Sequence, residues 1–338
     1  MILLDTQFNI LLQSLGTWLL PIMKFITFLG TSEFFLILIP AIYWCVNSDL
    51  GFRLGLLLLS SSSLNSILKL SFHLPRPYWV DERVMAFAAE SSFGLPSSHA
   101  QLSACVWGKL GFSRRNLQAI LSALFIILLV GISRMYLGVH FSADVFAGWL
   151  IGFLLLAIFS WLERPASEWI KRTNPMLACL GGLLFVMSLF GLGIVVYSGL
   201  SVWQIPGTWQ QLSLRGGSSI NPVSLQNLIS GLGTLTGFII GASWLRSLES
   251  TLGIFTTAGK PGQKMWRYLI GIAGVLLFWV GLGLILPNDQ TYAGLTLQFL
   301  RAFLVGGWIS GLAPFLFMRT GLAIPGRPLD VESRTQAQ

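Results

Sequence analysis

The chain has 338 residues, of which 54% are hydrophobic and 10% charged, and its formal net charge is +8. Soluble domains carry about 25% charged residues, and a soluble protein this apolar would expose large greasy patches, so the bilayer is the expected solvent. The basic excess does not point to nucleic acid: the cations form no dense run and sit at the ends of apolar segments, where membrane topology signals lie.

Met1 to Gly30 is apolar but broken by Asp5, Gln7, Asn9, Gln13, Gly16, Pro21 and Lys24. It reads as an interfacial amphipathic helix pair, with a tenth span as the alternative. It lacks a basic n-region and a small-residue cleavage pattern, so a removable signal peptide is not expected. About nine spanning helices follow, making an all-α, polytopic transmembrane bundle. Their cores lie near Thr31–Val46, Phe52–Phe72, Ser98–Phe112, Leu117–Arg134, Phe141–Glu163, Met176–Ser198, Leu225–Leu245, Tyr268–Leu286 and Thr296–Met318.

Two blocks are expected. Residues 1–165, including the N-terminal segment, hold the chemistry. Residues 166–338 add about four glycine-rich helices with few ionisable groups. Between two of these, the connection from Gly199 to Val223 carries Trp203, Trp209 and Arg215. At that length it is either a lid or a plain connector. Cys45, Cys105 and Cys179 each lie in an apolar run without a CxxC pairing, so inert buried thiols are expected rather than disulfides or a zinc site.

Arg53, Arg114, Arg115, Arg164, Lys171, Arg172, Arg246, Lys260, Lys264, Arg267, Arg319, Arg327 and Arg334 fall on one set of connections. The opposite set holds little beyond Lys69, Arg76, Arg83, Arg134 and Arg215. The positive-inside rule assigns the first set to the cytoplasm. The second set therefore faces the periplasm, the exterior or a lumen.

Ionisable groups near membrane depth are costly and need a reason. Lys69 stands near the outer end of its helix, and Arg76 lies just beyond, between the helix-stopping Pro75 and Pro77. Taken alone, these two could be snorkelling cations. Pro96, Ser97, Ser98 and His99 open the next helix. Either serine can cap it, or its free N–H groups can hold an anion, with His99 adding a group that titrates near neutral pH. Ser133 and Arg134 close the following helix. His140 and Asp144 come next, four residues apart and so expected on one helix face. A carboxylate beside an imidazole fixes its tautomer. A metal pair is the rival reading, but no third ligand of suitable type lies nearby. The chain goes in and comes back out between His99 and Ser133, so all three stretches return to one membrane face.

Lys69-x6-Arg76-Pro77, Pro96-Ser97-Ser98-His99 and Ser133-Arg134-x5-His140-x3-Asp144 resemble the three signature motifs of the type 2 phosphatidic acid phosphatase (PAP2) superfamily. That superfamily includes bacterial lipid phosphatases, sphingosine-phosphate phosphatases, glucose-6-phosphatase and soluble vanadium haloperoxidases. The resemblance covers roughly residues 50–160. Ser98 stands where the family usually has glycine, a change that keeps the backbone N–H.

The resemblance implies a membrane phosphatase acting on a lipid phosphomonoester or diphosphate, with no metal and no other cofactor. His140 would form a phosphohistidine, oriented by Asp144, while His99 protonates the leaving oxygen. Lys69, Arg76, Ser97, Ser98 and Arg134 would hold the phosphate. His73 is expected to be an interface residue. The expected partners are membrane lipids and the lipid substrate, without nucleic acid. Two other functions fit parts of the pattern. A phosphotransferase would use the same site, and a lipid or phosphate transporter would use the extra helices, with Arg301 and Gln298 as its polar candidates.

Overall fold

The computed structural model describes residues 5–217, 219–287 and 289–326. Its helices run α1 (Gln7–Gln13), a 3₁₀ turn (Thr17–Leu19), α2 (Leu20–Phe28), α3 (Ser32–Cys45), α4 (Ser48–Phe72), α5 (Pro77–Val80), α6 (Ser98–Ser113), α7 (Leu117–Tyr136), α8 (Ser142–Arg172) and α9 (Pro175–Gly199). They continue with α10 (Gly207–Arg215), α11 (Gln226–Ser247), α12 (Glu249–Leu252), α13 (Pro261–Leu276), a π-helix (Leu277–Gly281), α14 (Leu282–Ile285), α15 (Tyr292–Gly307), a second π-helix (Trp308–Leu312) and α16 (Ala313–Arg319).

Each of the nine expected segments is helical. Among the described residues, 7 helices are long and apolar enough to cross a membrane. The other two, α3 with 14 residues and α6 with 16, fall short of 18 residues. The N-terminal pair α1 and α2 is bent by 84°. If that pair counts as one broken span, the number rises to 8. Met1 to Leu4 lie outside the described residues, as do Arg327 and Arg334.

The chain forms two compact units that interleave in sequence. One contains Met1–Leu36, Leu57–Pro165 and Ser188–Gly231. The other contains Ile37–Leu56, Ala166–Met187 and Leu232–Gln338.

In the first unit, α6 and α8 approach closely because α8 presents glycines at the seam. A Cβ on Gly148 would meet the Ser97 carbonyl oxygen at 2.6 Å, and one on Gly152 would meet that of Gln101 at 2.5 Å. Small residues four apart let backbones meet where apolar burial offers no preference over lipid. Beneath that seam α4 contributes polar side chains. Gln101 Nε2 donates to Ser61 O and Oγ, both at 2.9 Å, and Asn65 Nδ2 donates to Gln101 Oε1 at 2.8 Å. These bonds give the buried amides and the Ser61 hydroxyl partners inside the protein, as burial requires.

In the second unit, glycines let α11 and α15 cross closely. A Cβ at Gly237 would run into the Phe303 carbonyl, and one at Gly306 into that of Thr234. The π-helix at Trp308–Leu312 offers its carbonyls sideways. Trp44 Nε1 donates to Ile309 O at 2.9 Å, and Tyr43 OH to Ser310 O at 3.2 Å. Arg267, expected as a cytoplasmic surface charge, is instead fully buried. Its guanidinium donates to the carbonyls of Leu322, Trp44 and Ala258, tying three segments together. All three cysteines are free thiols.

Candidate active site

The three motif stretches meet at one end of the first unit. α4 ends at Phe72, before Pro75 and Pro77, so Lys69 occupies its last turn and Arg76 lies in extended backbone ahead of α5. Both cations are buried. They are held by the carbonyls of the segment just upstream of Pro96. Lys69 Nζ donates to Phe93 O at 2.5 Å. Arg76 Nε donates to Ser92 O at 2.6 Å, and its NH2 donates to Phe93 O at 3.1 Å. The remaining guanidinium nitrogen, NH1, donates to Val139 O at 2.9 Å and lies 3.2 Å from His140 Nε2.

The spacing of His140 and Asp144 predicts both on one helix, but His140 lies ahead of it. α8 begins two residues later, at Ser142, after a turn in which Gly138 has φ +77°. A side chain at Gly138 would also strike the Met85 carbonyl. The pair still forms, because Asp144 reaches back from the first turn of α8. Its Oδ2 accepts from Phe141 N–H at 3.0 Å and lies 3.2 Å from His140 Nδ1. A first-turn carboxylate bonding the N–H three residues back is half of a capping box, so the bond that starts the helix also seats the imidazole. With its proton on Nδ1 facing Asp144, the ring turns the Nε2 lone pair toward Arg76. Burial, then the charges of Arg76, Lys69 and Arg134, push the His140 imidazole well below its usual value, so the ring is neutral at pH 7.

Ser97 caps α6, its hydroxyl accepting from Ala100 N–H at 3.5 Å. Its own N–H is committed elsewhere, donating to the Asp144 carbonyl oxygen at 3.0 Å. The expectation that N–H groups from Ser97 onward line an anion site therefore narrows to those of Ser98 and His99. These are first-turn groups without an intrahelical acceptor. The Ser97–Asp144 bond locks the second motif to the third. His99 lies within electrostatic range of both His140 and Glu90.

Glu90 was not foreseen. Its carboxylate pairs with Arg134 and lies 3.8 Å from Arg76 NH2, so one acid bridges the two arginines. Burial raises the Glu90 carboxyl, but Arg76 and Arg134 overcome this and hold it well below the usual carboxylate range. Its side chain keeps 29% of its exposure, the highest of that trio. An acid among the cations of one membrane face was the available signal, hidden in a turn-rich stretch without helical spacing.

The N-terminal helix pair also supports the site, with its polarity inverted relative to a helix lying on water. Phe8, Leu11, Trp18 and Phe25 are exposed, whereas Asn9 and Gln13 are buried. Asn9 Nδ2 donates to Met135 O at 2.8 Å and to His140 O at 2.9 Å. Gln13 Nε2 donates to Met85 O at 2.8 Å and Tyr136 O at 3.0 Å. Arg134 NH1 donates to Thr27 Oγ1 at 2.9 Å. Two of the polar residues that interrupt the apolar run, Asn9 and Gln13, thus satisfy carbonyls around the α7–α8 turn and at Met85. His73 is half-buried at φ 40°, its ring against Phe93 and Trp203 rather than open interface.

Residues 50–167 match the family model of the PAP2 superfamily, and residues 229–325 match that of the PAP2 superfamily phosphatase transmembrane extension. The phosphatidylglycerophosphatase B of Bacillus subtilis is 34% identical over 171 residues, covering 46% of this chain and 78% of the relative. Sphingosine-1-phosphate phosphatase 2 of Mus musculus is 22% identical over 288 residues, covering 82% of this chain and 73% of the relative. A crystal structure of a transmembrane PAP2-type phosphatidylglycerolphosphate phosphatase from Bacillus subtilis aligns with a TM-score of 0.40 and 32% identity. That alignment covers 47% of this chain and 83% of the other.

Proposed function

The chain belongs to the PAP2 superfamily, whose membrane lipid phosphatases need no metal, and from that premise we propose that it hydrolyses a lipid phosphomonoester or diphosphate through His140. One observation carries the assignment of roles. The Nε2 of His140 lies 3.2 Å from Arg76 NH1 while Asp144 holds Nδ1. A neutral lone pair is thereby aimed at the place where a phosphoryl group would be held by cations.

Lys69, Arg76 and Arg134 neutralise the phosphate, and the two arginines offer forks matched to its oxygens. The N–H groups of Ser98 and His99, with the Ser97 hydroxyl, add donors at the start of α6. His140 Nε2 attacks phosphorus, and the bond to the leaving oxygen breaks as His99 gives that oxygen a proton, the bound phosphate's negative charge favouring the imidazolium that burial and Arg134 otherwise disfavour. Water then attacks the phosphohistidine, with His99 taking its proton, and phosphate leaves. Asp144 stabilises the imidazolium that forms on the way.

Residues 1–165 form the catalytic block in this reading, and 166–338 are its extension. The distribution of basic residues supports an extracytoplasmic or lumenal site. The relatives act, by name, on phosphatidylglycerophosphate and sphingosine-1-phosphate, which supports an amphiphilic substrate carrying a terminal phosphate.

The test is phosphate release by purified protein from a panel of lipid and soluble phosphates. Wild type is expected to turn over at least one lipid phosphate, with full activity in EDTA and inhibition by vanadate. His140→Ala is expected to fold and release essentially none. Near-normal turnover by that variant, or a strict need for a divalent cation, would overturn the mechanism.

A further inference from the structure

We propose that the connector between α9 and α11 is a cap that positions the phosphate cradle, with Trp203 and Trp209 as its positioning residues. The inference rests on the phosphatase reading above and gives a role to a segment that the motifs leave out.

The connector reaches the cradle by two aromatic routes. In the first, the Trp203 ring packs edge-on against Phe93 at 5.3 Å and against His73 at 6.1 Å, while Phe93 and His73 meet at 6.2 Å. Phe93 is fully buried, and its carbonyl oxygen is the acceptor shared by Lys69 Nζ and Arg76 NH2. His73 follows the last turn of α4, which carries Lys69. The three rings therefore clamp both backbone segments that set the distance between these cations.

In the second route, Trp203 meets Trp209 at 6.0 Å, Trp209 meets Trp79 at 6.0 Å, and the Arg76 guanidinium carbon lies 5.9 Å from the Trp79 ring. Arg76 is thus bounded by connector-supported groups on its carbonyl side and on its ring side. The end of α10 is seated as well. A Cβ at Gly216 would meet Ala86 Cβ at 3.0 Å and Tyr78 Cδ2 at 3.2 Å. The exposed Arg215–Glu82 pair, at 3.4 Å, adds little.

A plain connector needs only to span its ends. This one places two tryptophans against the residues whose carbonyls and rings fix Lys69 and Arg76. Removing the clamp loosens those carbonyls, so the two cations lose their fixed geometry and the anion is held less tightly. Asp144 and Ser97 keep their own bonds, so Asp144 still seats the Nδ1 side of His140, and the imidazole loses only the fixed position of its Arg76 neighbour.

The test measures orthovanadate affinity by thermal shift on the full-length protein in detergent, alongside phosphate release. Trp203→Ala and Trp209→Ala are expected to weaken vanadate about tenfold and to raise KM more than they lower kcat. Trp203→Phe is expected to restore both, and the neighbouring exposed Val202→Ala to change neither. Should Trp203→Ala yield no folded protein, Trp203→Leu, which keeps apolar volume without the extended ring, decides in its place. Unchanged vanadate affinity in the alanine variants, or lowered melting temperature with KM intact, overturns the cap while the wild-type turnover leaves the phosphatase reading standing. Absence of both turnover and vanadate binding in wild type overturns that reading and the cap together.

Discussion

His140 can attack phosphorus only as a neutral imidazole, and burial together with three nearby cations favours that form. The protein has 3 histidines, so labelled imidazole signals can be assigned with two single substitutions, His73→Gln and His99→Gln. The His140 signal is expected to stay that of a neutral ring down through about pH 6.5, the ordinary histidine midpoint. A midpoint at or above that value would mean that the cations do not govern this ring. Glu90 sets the opposite condition. A phosphate entering between Arg76 and Arg134 competes with the carboxylate already paired to both. Glu90→Gln is therefore expected to tighten vanadate binding by about tenfold, about 1.4 kcal/mol. The same change should lower the melting temperature of the empty protein, because Arg134 loses its buried partner at a cost of about 1–3 kcal/mol. Weaker vanadate binding in this variant would show that Glu90 helps to hold the anion instead. The cations, both site histidines and Asp144 were legible because ionisable groups near membrane depth are scarce and call for explanation. Glu90, Asn9 and Gln13 were not. Asn9 and Gln13 read as interruptions of an apolar helix until the carbonyls they satisfy are known, and those carbonyls belong to residues more than seventy positions away.

At the scale of elements, the α6–α8 seam sets how far the second motif stands from the third. Gly148 and Gly152 face Ser97, Ala100, Gln101 and Ala104, one turn and two turns from the residues that carry the chemistry. Gly152→Val puts a branched side chain where the Gln101 carbonyl and the Ala104 methyl group already stand. The helices must part, at a cost of about 1–3 kcal/mol, and His99 moves away from His140. The expected result is a lower melting temperature with kcat/KM reduced by about a hundredfold, since misplacement of about 1 Å is enough for that. A destabilised variant with unchanged kcat/KM would show that the seam supports the fold without setting the site. The helices themselves could be read from apolar run lengths, and every expected segment is helical. Which face pairs with which could not be read, because in lipid the pairing surface is marked by small residues, and glycine is abundant throughout this chain. The start of α8 shows the limit of spacing rules. Four residues separate His140 from Asp144, as on a helix, yet the contact is made by a capping carboxylate reaching back to a turn.

For the whole molecule, orientation follows from charges that remain at the surface, and the fold changes which charges those are. Arg267 donates to three backbone carbonyls, and Lys109 pairs with Glu163, so neither reports on topology. At the site end, Lys69, Arg76 and Arg134 are buried in the cradle, and Arg83 is paired with Asp81 at 2.7 Å. Among the described residues, Lys171, Arg172, Lys260 and Arg319 stay exposed, and so do Arg114 and Arg115, on the turn between α6 and α7 at the opposite end of those two helices from His99 and Arg134. Removing the internal charges from the count thus sharpens the asymmetry on which the positive-inside rule acts. Cysteines placed at Glu82 and at Arg114, both exposed, sample the two ends. With a membrane-impermeant maleimide, Glu82→Cys is expected to label in intact cells, and Arg114→Cys only after permeabilisation. Losing the Glu82–Arg215 pair should not disturb the reading, because exposed pairs are worth about 0–1 kcal/mol. The reverse labelling pattern would move the cradle to the cytoplasm, and a lipid phosphate on the outer leaflet could then not be its substrate.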